Sequence, residues 1–236
     1  GSACPCATPT PDAMTARDWV KRIDHWVFDL DNTLYPATSG LFAQIDVRMT
    51  AYVQRYLQIE IAEARALQKR YYEEFGATLA GMMTRHGMEP HDFLENVHDV
   101  DYTPVKLDAP LAALIAGLPG KKLVFTNGPR QHARRVLDRL GIAQCFEGVF
   151  AIEDGQFAPK PSVLAFERLQ ARFGFVPGQA LFFDDLANNI AAGKAFGMRT
   201  ALVGSGKSPH GHPAEADLVI DGLHASLAEI GRAVRL

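Results

Sequence analysis

Residues 26–36 read Trp26-Val27-Phe28-Asp29-Leu30-Asp31-Asn32-Thr33-Leu34-Tyr35-Pro36. Trp26, Val27 and Phe28 are a run of β-formers of the kind that lies buried on both faces of a parallel sheet. The run ends in two carboxylates, Asp29 and Asp31, with one leucine between them. In extended chain, residues two apart point to the same side, so these two charges repel unless a cation stands between them. A hard divalent cation with oxygen ligands, Mg²⁺, is the simplest answer. Thr33 brings a hydroxyl able to orient one carboxylate, and Asn32 and Pro36 suit a sharp exit from the strand. A strand ending in a plain polar turn fits the same residues, since Asp and Asn are favoured in turns. The rest of the chain has to decide.

After Pro36 the pattern becomes helical. Leu41, Ile45, Met49, Val53 and Leu57 recur every four residues on one face. A second amphipathic helix runs from Ile61 to Phe75 and stops at Gly76. Thr78 to His86 reads as a third, ended by Gly87, and Pro90 to Val97 as a fourth, with proline in its first turn. Nothing from 37 to 103 reads as a strand. From Leu107 onward strands and helices alternate. The expected strands are Lys122–Thr126, Val149–Glu153, Ala180–Asp185, Thr200–Val203 and Leu218–Ile220. The expected helices are Arg130–Leu140, Pro161–Phe173 and Ala187–Phe196, with one more after the last strand. This alternation implies right-handed crossovers and a parallel sheet covered on both faces. The fold class is α/β, a Rossmann-like, three-layer, doubly wound sheet split after its first strand by a helical insertion. Residues 21–36 and 104–236 then form the core, 37–103 a helical cap, and 1–20 a flexible leader.

In such sheets ligands bind at the C-terminal ends of the strands. The first strand end offers Asp29 and Asp31, and the second Thr126-Asn127-Gly128. The loop after the third offers Lys160-Pro161-Ser162, and the fourth Asp184-Asp185 followed by Asn189. A phosphate-and-metal site needs these groups: carboxylates for the cation, a hydroxyl and backbone N–H groups for phosphoryl oxygens, an ammonium for their charge. Taken singly, Thr126-Asn127-Gly128 is an ordinary turn and Lys160 an ordinary solvated lysine. Adjacent acids ending a buried strand are harder to explain without a partner, and complementary chemistry from four separate strand ends points to a site.

These residues, in this order, resemble the four motifs of the haloacid dehalogenase-like (HAD) hydrolase superfamily, and the insertion resembles its helical C1-type cap. Within it, the chain is most similar to the pyrimidine 5′-nucleotidase subgroup. The likeness runs from Ile23 to Leu227 and includes the segments Phe75–Met82, Cys145–Phe150 and Leu181–Lys194. The resemblance implies that Asp29 is a nucleophile forming an aspartyl-phosphate and Asp31 a general acid–base. It implies Mg²⁺ held by the Asp29 carboxylate, the Asp31 backbone carbonyl and Asp185, with Asp184 on metal-bound waters. Thr126, Asn127, Gly128 and Lys160 would bind phosphate, and Asn189 would brace the acidic loop. Leaving-group contacts are expected from Thr78, Gly81, Met82 and His98, and from Arg130 or His132. The implied substrate is UMP or CMP. Another small phosphate ester, phosphoglycolate or a sugar phosphate, is the alternative. Dehalogenases of this superfamily do not keep an acid at the position of Asp31, and a non-catalytic protein would not need the intact acidic set.

Composition bounds the partners. Of 236 residues, 47% are hydrophobic and 22% charged, with a net charge of −3, ordinary for a globular protein with a sizeable core. There is no basic footprint for nucleic acid or an anionic membrane, and no apolar run long enough to span a bilayer. The 3 cysteines are too few for a disulfide framework, so a cytoplasmic setting is expected. Cys4 and Cys6 sit in a proline-rich leader whose Gly1-Ser2 resembles a cloning scar. His210 and His212 sit in a Gly/Pro-rich loop. The expected state is a monomer or homodimer binding a small phosphate monoester.

Overall fold

A computed structural model of the chain describes residues 19–204 and 216–234. The leader residues up to 18, with Cys4 and Cys6, and the pair His210 and His212 lie outside the described residues. The described strands are β1 (His25–Phe28), β2 (Lys121–Phe125), β3 (Gly148–Phe150), β4 (Ala180–Asp184), β5 (Arg199–Val203) and β6 (Leu218–Ile220). They form one sheet in the order β3-β2-β1-β4-β5-β6, parallel at every pairing. This is the doubly wound order, and its direction reverses between β1 and β4.

Strand alternation builds the two outer layers. Trp26 and Phe28 of β1, Val124 of β2 and Leu181 and Phe183 of β4 face one side. There they pack with α5 (Ala109–Ala116), α6 (Arg130–Leu140) and α9 (Leu223–Ala233). Val27, Leu123, Phe125 and Phe182 face the other side, against α7 (Val163–Phe173) and α8 (Ala187–Ala195). A period of two on a strand buried on both faces accounts for this partition. Every residue of β1 is buried, and the Trp26 indole N–H donates to the Pro119 carbonyl at 2.6 Å, so even its polar atom is satisfied.

Between β1 and β2 lie α1 (Leu41–Leu57), α2 (Ile61–Phe75), α3 (Thr78–His86) and α4 (Pro90–Val97). Their inward faces form a separate apolar cluster, Tyr52, Val53, Leu67, Tyr71, Met82 and Phe93 among its members, and Ile152 from the sheet layer joins it. Gly76 closes α2 with φ +80°, where a β-carbon would sit 2.9 Å from both the Lys160 carbonyl oxygen and the Pro161 ring. The insertion therefore meets the loop after β3 at a point only glycine permits.

Four expectations need correction. Val20, assigned to the leader, is 4% exposed, because a short 3₁₀ turn at Val20–Arg22 tucks it into the core beside α9. β3 stops at Phe150 rather than Glu153: the Asp154 carboxylate takes the Ala151 N–H at 2.9 Å, and the chain coils into successive turns. α7 starts at Val163 instead of Pro161, since Ser162 N–H closes a turn on Pro159. Helix α5 has no counterpart among the expected elements. Its signals are present in the sequence all the same: Asp108 is the N-cap, accepting from Leu111 N–H at 3.0 Å, and Pro110 stands in the first turn. Among the described residues, no helix is long and apolar enough to cross a membrane.

Candidate active site

The β1–β4 register pairs Phe28 with Phe183, which brings Asp29 level with Asp184 at the point where the sheet reverses. Asp29, Asp184 and Asp185 can each turn one carboxylate oxygen so that all lie within 4.8 Å of one another. Into this group reaches Lys160, 1% exposed. Its Nζ donates to Asp29 Oδ1 at 2.7 Å, to Asp184 Oδ2 at 2.8 Å and to the Phe125 carbonyl at 2.8 Å. All three ammonium protons have acceptors, which offsets the cost of burying the charge.

One ammonium does not balance three acids. Burial and repulsion from Asp184 push the Asp185 carboxyl up to about 7. Burial also raises Asp29 against the attraction of Lys160, with Asp184 and Asp185 adding to the rise. Lys160 is held above the ordinary lysine value: burial alone would lower it, but Asp184 and Asp29 outweigh that. A dense oxygen donor set with excess negative charge suits a hard divalent cation, and Mg²⁺ fits it.

Asp184 is fully buried. Its oxygens accept from Lys160, from Asn189 Nδ2 at 3.0 Å to each, and from Leu186 N–H at 2.9 Å. Asn189 thus holds the acidic loop. Asp184 also belongs to the acidic trio whose oxygens could hold a cation. Asp31 points elsewhere. Its Oδ1 accepts from Tyr35 Oη at 2.5 Å and contacts His132 Nε2 at 2.7 Å. Burial would raise the Asp31 carboxyl, yet His132 and Tyr35 hold it below the usual carboxylate range. Thr33, expected to orient a carboxylate, has a buried hydroxyl with no partner.

The phosphate-side residues converge too. Thr126 Oγ1, 2% exposed as a residue, accepts from Gly128 N–H at 2.9 Å. Asn127 grips the Lys160 residue at both of its backbone polar groups, accepting its N–H at 2.8 Å and donating to its carbonyl at 3.1 Å. The Asn127 amide therefore positions the lysine.

Asp29, Asp31, Thr126, Asn127, Gly128, Lys160 and Asp185 line one end of a cavity of about 550 Å³ whose far wall is the helical insertion. Thr78 and His98 line it. Gly81 and Met82 do not: Met82 is fully buried in the insertion's core, and Gly81 packs on the Tyr71 ring. Arg130 is exposed and bound to Asp154, away from the cavity. Phe42, Met49, Phe93, Asp46, Gln68 and Tyr72, none of them anticipated, face the cavity instead. For Asp46 and Tyr72 the signal is the helix face left over once the apolar face is assigned, whereas Met49 and Phe93 belong to the apolar face itself. Asp46 Oδ1 accepts from Gln68 Nε2 at 2.7 Å, and Gln68 also receives the Thr50 hydroxyl. His98 is pushed down to about 3 by burial and by His132, so its ring is neutral. Burial, then Asp184 and Asp185, push the Tyr72 phenol up to about 12.

Residues 23–197 match the model of the haloacid dehalogenase-like hydrolases. Phosphate metabolism protein 8 of Saccharomyces cerevisiae is 30% identical over 190 residues, 72% of this chain and 58% of the yeast protein. The chain thus spans less than two thirds of that relative's length. Phosphoglycolate phosphatase 1 of Pseudomonas aeruginosa is 27% identical over 218 residues, covering 84% of this chain and 76% of that one. Among solved structures, a HAD phosphatase from Thermococcus onnurineus superposes with a TM-score of 0.58 at 22% identity, covering 91% of this chain and all of that one. The L-2-haloacid dehalogenase of Xanthobacter autotrophicus gives 0.53 at 18%, covering 90% and 98%. At these identities the superpositions speak for the fold.

Proposed function

Because the chain belongs to the haloacid dehalogenase-like hydrolases, we propose that it is a Mg²⁺-dependent phosphomonoesterase acting through an aspartyl-phosphate, with a pyrimidine nucleoside 5′-monophosphate, UMP or CMP, as substrate. The observation that carries the chemistry is the meeting of Asp29 with Lys160 and Asp185 at the cavity floor. Asp31 stands two residues on, bound to His132 and Tyr35. Asp29 is the nucleophile and attacks phosphorus. Asp31, in its protonated form, gives that proton to the leaving oxygen as the P–O bond breaks. It then takes one from the water that hydrolyses the aspartyl-phosphate. Thr126 and the backbone of the loop at Asn127 and Gly128 hold the phosphoryl oxygens, and Lys160 keeps charge balanced around Asp29. Asp29, the Asp31 carbonyl and Asp185 would hold Mg²⁺. Its charge would lower the repulsion between an anionic nucleophile and an anionic phosphate. Phosphate monoesters hydrolyse so slowly that such a site must lower the barrier by roughly 20 kcal/mol, which asks for positioning and electrostatics together.

Residues 37–103 are the cap that closes over this site and chooses the leaving group. Phe42, Met49 and Phe93 supply an apolar wall for a planar base, and Asp46, steadied by Gln68, an acceptor for a base N–H. A second reading, a phosphatase of phosphoglycolate, has support from the relative of that name in Pseudomonas aeruginosa and from Lys69 at the cavity wall, which suits a carboxylate. The proposed setting is cytoplasmic, and Cys145 is a free thiol.

Phosphate release from a panel of nucleotides, sugar phosphates and phosphoglycolate, with Mg²⁺ and with EDTA, tests both readings. UMP and CMP should lead the panel, EDTA should abolish release, and Asp29→Asn should be inert. Turnover of phosphoglycolate alone would remove the nucleotide assignment. Equal activity of the Asp29→Asn protein would remove the mechanism.

A further inference from the structure

His132 stands on the third residue of α6, in a row whose other inward members, Ala133, Val136, Leu137 and Leu140, are apolar. A leucine would fill the place without any hydrogen-bonding requirement. Instead there is an imidazole whose side chain is wholly buried with both ring nitrogens engaged. Nε2 lies 2.7 Å from Asp31 Oδ1 and Nδ1 3.0 Å from Tyr102 Oη. A buried polar ring held at both ends is kept for something other than packing.

The hydrogen-bond directions can be assigned. The Tyr102 hydroxyl stands 3.0 Å from the His98 backbone carbonyl and 3.0 Å from Nδ1. The Asp31 carboxylate asks for a hydrogen on Nε2, and Nδ1 is then the acceptor that faces the Tyr102 hydroxyl. At the other end, Asp31 Oδ1 receives Tyr35 Oη at 2.5 Å and faces Nε2 at 2.7 Å. Both contacts fall on the same carboxylate oxygen and fix the rotamer, which leaves Oδ2 as the oxygen for a reacting group. Gly128 makes room: a β-carbon there would come 3.0 Å from the His132 ring and 3.3 Å from Thr126 Oγ1. The His98 ring covers another side, with centroids 4.8 Å apart.

We propose that His132, set by Tyr102, is the positioning residue of the general acid–base, holding Asp31 by one oxygen so that the other meets the leaving group. The inference rests on the phosphatase reading given above. Tyr102 and His98 lie where the helical insertion rejoins the core, so the same chain of contacts ties the acid to the root of the cap.

A general acid matters only where the leaving oxygen needs a proton. The test is kcat/KM, which stops at the first phosphoryl transfer, for an alkyl ester (UMP or ribose 5-phosphate, whichever the wild type turns over) and for p-nitrophenyl phosphate. Asp31→Asn is the reference. His132→Leu should lower the alkyl ester about 100-fold and p-nitrophenyl phosphate less than about 5-fold. His132→Gln, which returns an N–H donor near Nε2, should recover part of the loss, and Tyr102→Phe should show a smaller loss of the same selectivity. If Asp31→Asn is selective for the alkyl ester while His132→Gln and Tyr102→Phe lower both substrates equally, His132 is only structural and the proposal is overturned. Should Asp31→Asn itself be unselective, the general-acid assignment fails first. If His132→Leu folds poorly, the glutamine and phenylalanine variants decide between the two outcomes by themselves.

Discussion

Lys160 Nζ stands 2.7 Å from Asp29 Oδ1 in a space that leaves the lysine 1% exposed. The two residues are 131 positions apart in sequence, and the parallel register between β1 and its neighbours is what closes that distance. At such burial bulk solvent screens the pair little, and Asp184 shares the same ammonium.

Removing that charge should therefore be severe on two counts. Lys160→Met leaves three acids without a counter-charge, and a destabilisation of about 3–5 kcal/mol is expected in urea unfolding. Phosphate release should fall at least about 1,000-fold. Lys160→Arg should not rescue it, because a planar guanidinium does not fit the three acceptors that surround Nζ. Near-normal unfolding of the methionine variant would show that the acids are not jointly charged.

The Asn127 amide clamps Lys160 by its backbone N–H and its carbonyl together. Asn127→Ala should lower kcat about 10- to 100-fold through a misplaced ammonium, with KM for the substrate changed less than about 3-fold. It should also cost about 1–3 kcal/mol of stability, because two backbone groups lose their partner. A pure KM effect would mean that the amide binds substrate after all.

The crowding of acids has a pH signature. Asp185 is pushed up to about 7 by burial and Asp184, against about 3.9 in unfolded chain. Between those values the folded protein holds a proton that the unfolded chain has lost. Stability from this group is thus full below about pH 4 and is lost as pH rises through about 7. In EDTA, Asp185→Asn should raise Tm by several degrees at pH 8 and change it little near pH 4. With saturating Mg²⁺ at pH 8 the wild type should gain more than the variant. An equal effect of the substitution at both pH values would contradict the assignment.

Asp46 offers a test of the cap. Asp46→Asn keeps the size and loses the charge, so KM for UMP or CMP should rise about 10-fold while kcat/KM for p-nitrophenyl phosphate stays within about 2-fold. Gly81→Ala should behave differently. A β-carbon there would lie 2.4 Å from Tyr71 Cγ, so stability should drop by about 1–3 kcal/mol with KM unchanged in protein that remains folded.

The parts of the site legible in the sequence are those where chemistry is written at a strand end. Asp29, Thr126 and Asp184-Asp185 follow short apolar runs, and a parallel sheet gathers such ends on one edge whatever the loops between them do. Residues chosen by helix face are harder to find. Met82 and Gly81 look available in sequence, yet α3 turns them into the insertion's core, while Asp46, Gln68 and Tyr72 come from faces that periodicity marks only as not buried. The contact between Asp31 and His132 spans 101 residues. It depends on where α6 leaves the second strand end, which no local pattern records.

Gly76 carries a last consequence. Its bare α-carbon lets the tip of α2 rest on the carbonyl of Lys160, the same carbonyl that Asn127 holds. A side chain at position 76 would press on that carbonyl, so a substitution at the helix tip would disturb the seat of the ammonium 84 positions further along the chain.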